Sequence, residues 1–158
     1  TGGGFPGVPL AIASGRTGVL IDSVQKKARA VQEMIEELGL DNQIQALGVR
    51  SEELALDVGE RFSTVVARAV SSLPVVMELA TPLLTPEGEL IALRGKEDEV
   101  DETLIESVSE KLGLRLISKK HIYISEIYER TIYVFKKVSQ PTIKLPRRNG
   151  MAQKRPLS

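Results

Sequence analysis

Four glycines and one aspartate carry the first chemistry legible in this chain of 158 residues. Gly2, Gly3, Gly4 and Gly7 precede an apolar stretch, Val8, Leu10, Ala11 and Ile12, with the composition of a helix. Lacking Cβ atoms, such a loop turns tightly and lets a ligand approach its backbone, and the start of the following helix favours negative charge. Fifteen residues beyond Gly7 stands Asp22, at the end of the run Val19, Leu20, Ile21. From there a carboxylate can accept both hydroxyls of a ribose. Each half has a bland explanation, since a glycine run is an ordinary turn and an aspartate before a helix an ordinary cap. Together, and in that order, they point to a Rossmann-like site for an adenosine-containing cofactor. Gly2-x-Gly4-x-x-Gly7 fits the dinucleotide pattern literally, which keeps a nicotinamide-dependent oxidoreductase open. Phe5 and Pro6 inside the loop and an antiparallel ending of the chain favour a methyltransferase instead.

Other chemistries are excluded by composition. The chain has no cysteine and one histidine, His121, so neither disulfides, thiolate metal sites nor a multi-histidine cluster can be built. His121 lies in an apolar strand pattern and is read as structural. No apolar run approaches the ~20 residues that span a bilayer, and the first residues lack the order of a secretory signal, so a cytoplasmic protein without membrane partners is expected. Net charge is zero, but its distribution is uneven. Residues 139–158 hold five cations, Lys144, Arg147, Arg148, Lys154 and Arg155, and no acid, whereas Glu97, Asp98, Glu99, Asp101 and Glu102 form an acidic run that suits a helix start.

The elements that must position these groups alternate between strands and helices, the pattern of an α/β domain on a mainly parallel sheet. Strands are expected at 19–22, 43–47, 64–67 and 89–93, and 114–124 with 130–138 as a closing antiparallel hairpin. Helices are expected over 6–14, 71–84 and 97–112. Val24, Ala28, Val31, Ile35 and Leu38, spaced by fours and threes, mark one face of a further helix that Gly39 stops. Pro86-Glu87-Gly88 is a turn entering a strand. Residues 1–140 form the expected catalytic domain; the tail 141–158, with Pro141, Pro146 and Pro156, is expected to be extended or loop-like.

Several segments together resemble one family: residues 2–13 (GGGFPGVPLAIA), 21–27 (IDSVQKK), 50–53 (RSEE), 66–73 (VARAVSSL) and 145–157 (LPRRNGMAQKRPL). They are similar to the ribosomal RNA small subunit methyltransferase G family, also called glucose-inhibited division protein B, over essentially the whole chain. The resemblance implies a Rossmann-like class I S-adenosylmethionine-dependent fold. It further implies methyl transfer to N7 of a guanine in the 530 loop of 16S ribosomal RNA, with that RNA or the small ribosomal subunit as partner and a monomeric enzyme. It places Gly2, Gly4 and Phe5 on the methionine side of the cofactor, Asp22 at the ribose, Ser51 and Glu52 beside the adenine, and Arg68 near both the cofactor, which it would help to bind, and the incoming base. The family's Asp-x-Gly strand would precede Thr1, so the first, central strand is expected to be missing from this chain, leaving two unpaired sheet edges and an unstable fragment. Arg94 stands where lysine is common in the family, and Met151-Ala152 where threonine and proline are usual.

The implied reaction demands little of the protein. Guanine N7 is an unprotonated lone-pair acceptor, so attack on a sulfonium methyl requires no general base, only alignment. Arg68, ending an apolar strand on the side where such sheets bind ligands, is the residue given a positioning role. Lys26, Arg29, Arg94, Arg147, Arg148 and Lys154 are the candidate RNA contacts, with Lys27 and Arg155 beside them. A non-catalytic RNA-binding module, its glycine loop vestigial, is the competing reading.

Overall fold

Residues 1–95, 101–125 and 128–158 are described by a computed structural model, and they divide into two units, Thr1–Glu53 and Leu54–Ser158. In the first unit, α1 (Gly7–Ser14) and α2 (Gln25–Glu37) accompany β1 (Gly18–Ile21) and β2 (Ile44–Leu47), which pair in parallel. Val8, Ala11, Leu20, Val31, Ile35 and Ile44 form its core. The spacing of α2 holds for Ala28, Val31 and Ile35, all buried, but not at its ends. Val24 and Leu38 flank the helix as cap residues and are exposed. The entry is set one residue later than the apolar pattern suggests because Asp22 Oδ1 accepts the Val24 N–H at 2.9 Å. Gly39, at φ 67°, ends the helix as expected.

Gly7 opens α1 against β1. A Cβ at this position would stand 2.7 Å from Leu20 Cγ, closer than real carbons pack, so glycine is required here for contact between helix and strand rather than for an unusual φ.

In the second unit β3 (Phe62–Arg68), β4 (Leu84–Gly95), β5 (Leu114–Ser125) and β6 (Tyr128–Lys137) form one sheet in the order β3-β4-β6-β5. β3 and β4 run parallel, and β6 is antiparallel to both β4 and β5, which is the expected closing hairpin. One face of the sheet, with Leu90, Ala92, Tyr133 and Phe135, packs on α4 (Leu73–Ala80) and α5 (Glu102–Leu112) through Leu73, Met77, Ile105, Val108 and Leu112. Each of the leucine, isoleucine, valine, methionine and phenylalanine side chains among them contributes about 1.5–3 kcal/mol when fully buried. Among the described residues β1 and β3 each pair with a single strand, and no helix is long and apolar enough to cross a membrane.

Several expectations are corrected. The helix foreseen over 71–84 spans only 73–80 and passes into a 3-10 turn at Thr81–Leu83, because Pro82 has no N–H and crowds the preceding turn. Strand β4 starts at Leu84, before the Pro86-Glu87-Gly88 turn, with a register shift against β3 where the turn bulges. The helix foreseen from residue 97 is described from Glu102, capped by Asp101, whose side chain accepts the Thr103 N–H; residues 97–100, with most of the acidic run, lie outside the described residues. Two short helices were not foreseen, α3 (Ser51–Val58) and α6 (Met151–Lys154). The tail is loop-like as expected apart from α6, but it is packed rather than detached. Ile143, Leu145 and Leu157 pack on the core of the second unit, and Ala152 is buried.

Candidate functional site

The glycine loop of the first unit is a fixed structure. Gly4 N–H donates to Thr1 O at 3.1 Å, and Val8 N–H to Gly4 O at 2.8 Å. Gly2, at φ 56°, turns its N–H to Asp22 Oδ2 at 2.9 Å, and the Thr1 nitrogen reaches the same oxygen at 3.1 Å and Ile21 O at 2.6 Å. Asp22 thus fastens the loop to the carboxyl end of β1 with one oxygen and opens α2 with the other. Burial by itself would raise the pKa of this carboxyl; hydrogen bonds led by those from the Val24 and Gly2 N–H groups outweigh it and hold the group below the usual carboxylate range.

The residues present fit an adenosine cofactor. Cβ atoms added at Gly2 and Gly3 would meet nothing within 4 Å, so the loop is open on that side. Asp22 Oδ1 has one protein donor, Val24, leaving acceptor capacity for a hydroxyl. Ser51 and Glu52 start α3 four residues beyond the end of β2, the parallel neighbour of β1. The topology therefore brings both to the strand ends where Asp22 lies. Glu52 is buried and Ser51 half-buried, and Glu53 accepts the Arg50 N–H at 3.1 Å, one arm of a capping box that fixes the helix start. Phe5 is exposed beside the loop, and Lys26 and Arg29 stand on the exposed face of α2.

In the second unit Arg68 is the last residue of β3 and is exposed. Ala69, directly after it, has φ 51°, a left-handed conformation that costs an L-residue about 1–2 kcal/mol. Ala69→Gly is expected to stabilise the protein by about 0.5–1 kcal/mol, read as a raised denaturant midpoint. An unchanged midpoint would show that the strand end carries no strain.

The candidate RNA contacts fall into two groups. Arg94 is 5% exposed at the end of β4, and its Nη1 donates to Ser71 O, so it braces the loop after Arg68 instead of lying on the surface as expected. Arg147 is turned inward as well. Its Nε and Nη2 donate to Glu78 Oε1 and Oε2 at 2.6 and 2.5 Å, and Nη2 also to Arg155 O at 2.8 Å. The hydrogen bonds to Glu78 raise its pKa above the usual guanidinium value. Lys144, Arg148, Lys154 and Arg155 remain exposed around it. His121 pairs across the hairpin, with Nδ1 3.2 Å from Thr131 Oγ1 and 3.4 Å from Glu129 Oε1.

Sequence reasoning passed over two buried charges. Glu78, 3% exposed on α4, is a lone charge in an apolar run, and Lys137, 2% exposed on β6, is the second of two lysines that follow one; neither pattern gave a stronger signal. Lys137 Nζ donates to Glu60 Oε1 at 2.6 Å and to the carbonyls of Thr81 and Leu84 at 3.2 and 3.0 Å.

Comparison with known proteins adds an independent line. The family model described as rRNA small subunit methyltransferase G matches residues 1–132. Relatives named ribosomal RNA small subunit methyltransferase G include that of Fervidobacterium nodosum, 37% identical over 99% of this chain and 74% of its own length. That of Acetivibrio thermocellus is 36% identical over 100% of this chain and 66% of its length. The chain thus spans about two thirds to three quarters of the length of these relatives. Among solved structures, the fold is similar to that of TrmN from Thermus thermophilus, with a TM-score of 0.61 at 18% identity over 87% of this chain and 42% of that one. Geranyl diphosphate methyltransferase in complex with SAM gives 0.64 at 10% identity, over 87% of this chain and 75% of that one.

Proposed function

The chain belongs to the rRNA small subunit methyltransferase G family, and from that premise we propose that it carries the S-adenosylmethionine site and the RNA-binding tail of a 16S ribosomal RNA guanine-N7 methyltransferase. The observation that carries the reading is the glycine loop fastened to Asp22, an open cradle beside a carboxylate that is ionised at neutral pH. Gly2, Gly4 and Phe5 would hold the methionine portion of the cofactor, Asp22 the ribose hydroxyls, and Ser51 and Glu52 the adenine. When bound, the cofactor supplies an electrophilic methyl group on a sulfonium.

The protein's own work is alignment. Guanine N7 offers a lone pair and carries no proton, so no residue has to act as base. Arg68 holds the incoming guanine in line, its donors suited to O6 of that base so that the N7 lone pair stays free to attack. Lys26 and Arg29 on α2, and Arg148 and Lys154 on the tail, neutralise RNA phosphates. In this reading the enzyme works in the cytoplasm, where its ribosomal substrate is made, and acts as a monomer.

The test is titration calorimetry of S-adenosylhomocysteine into the intact protein, followed by methyl transfer to small-subunit RNA. Binding together with a new N7-methylguanine is the expected result. Binding without transfer to any ribosomal substrate would overturn the RNA half of the proposal. No binding would overturn the cofactor half and favour an RNA-binding module, and retention of a nicotinamide dinucleotide would favour an oxidoreductase.

A further inference from the structure

We infer that Glu78 is a positioning residue for RNA capture: through its two-pronged pair with Arg147 it holds the basic tail in the shape that presents Lys144, Arg148, Lys154 and Arg155 to a polyanion. The inference deepens the proposed function and rests on it. By composition the five cations of the tail are equivalent, but the fold separates them. Four are exposed, and the guanidinium of Arg147 is spent on a carboxylate that is 3% exposed in the apolar face of α4. Three of its five N–H donors are committed inside the fold, Nε and Nη2 to Glu78 and Nη2 also to Arg155 O, and its charge is already matched by a carboxylate.

The geometry makes Arg147 the knot of a closed loop. One prong fixes it to α4, and the bond to Arg155 O draws the end of α6 back to the start of the loop. Between them Gly150, at φ 76°, begins α6, and Ala152 turns inward. Further anchors hold the flanks. Thr142 N–H and Oγ1 donate to Lys111 O at 2.9 and 3.2 Å, and Lys111 Nζ donates to the carbonyl of Ser158. A tail fixed in this way meets RNA with its cations already arranged, so several phosphates are neutralised at once without first ordering the chain. An apolar pair could fill the same space; a buried, bidentate ion pair adds directionality that hydrophobic packing lacks.

Glu78→Gln in the intact protein tests this, with a 16S ribosomal RNA transcript and S-adenosylhomocysteine as probes. The dissociation constant for the transcript should rise about tenfold at fixed salt, and the slope of log Kd against log salt should fall by about one, one phosphate fewer being held. Trypsin should cleave after Arg148 and Lys154 faster, while the affinity for S-adenosylhomocysteine stays within about twofold of the parent. Arg147→Lys, which keeps the charge and loses the fork, should shift RNA affinity in the same direction, and it carries the test if Glu78→Gln fails to fold. Unchanged RNA binding in Glu78→Gln overturns the inference, because the tail would then present its cations without the pair; tightened binding overturns it too, because Arg147 would then be a phosphate ligand that Glu78 restrains. An unchanged cleavage rate, or a parallel loss of S-adenosylhomocysteine binding, overturns it equally. If the parent transfers no methyl group while Glu78 still governs RNA affinity, the methyltransferase reading fails and the role of Glu78 stands.

Discussion

Asp22→Ala is expected to weaken S-adenosylhomocysteine binding by at least about a hundredfold, a loss of about 2.7 kcal/mol. Two contributions add to that figure. The variant loses the carboxylate proposed to hold the ribose, and hydrogen bonds to a charged group are each worth about 1.5–3 kcal/mol. It also releases the nitrogens of Thr1 and Gly2, which hold the glycine loop at the end of β1. Asp22→Asn keeps one oxygen and should fall between the two. Calorimetry decides, and an affinity within twofold of the parent would remove Asp22 from the site.

The same carboxylate gives the protein a distinct acid response. Burial would raise its pKa, but donors led by the Val24 and Gly2 N–H groups lower it below the ordinary value. Its contribution to stability is therefore complete above the unfolded carboxylate's pKa of about 3.9 and is lost as pH falls through the lower folded value. Melts of the parent from neutral pH downward should steepen below about pH 4, and Asp22→Ala should lack that component.

The second large effect lies in the core. Lys137→Met is expected to cost about 3–5 kcal/mol, because it strands the Thr81 and Leu84 carbonyls and unpairs Glu60. For a chain of this size that is roughly 10 °C in melting temperature. Glu60→Gln should cost far less, since Glu60 is a third exposed and water can replace it at the edge of the site. Equal losses in the two variants would mean that the ion pair, rather than the two carbonyls, is what Lys137 supports.

What the sequence disclosed and what it hid follow from how far apart the interacting residues stand. The buried face of α2 was legible because Ala28, Val31 and Ile35 repeat at the helical period within eight residues. The closing hairpin was legible because β5 and β6 are long and rich in branched and aromatic side chains. Short helices such as α6, four residues long, leave no period to detect. Arg94 and Arg147 resembled surface cations because nothing adjacent in sequence names their partners; Ser71 lies 23 residues from the first and Glu78 69 from the second. Of the candidate site, the loop and Asp22 could be read as a pair, but not the hydrogen bonds that tie one to the other. Those depend on the turn at Gly2, which composition permits without requiring.

The contact between Gly7 and Leu20 also constrains how this sequence can change. Residues 7 and 20 share one volume, so substitutions at the two positions are expected to be coupled. A methyl group at position 7 is acceptable only when the side chain at position 20 gives up its branch, and a bulkier residue at 20 makes glycine at 7 irreplaceable. Paired randomisation of the two positions should recover alanine at 7 only together with a smaller partner at 20, a correlated drift in which a core strand and a ligand loop evolve as one character.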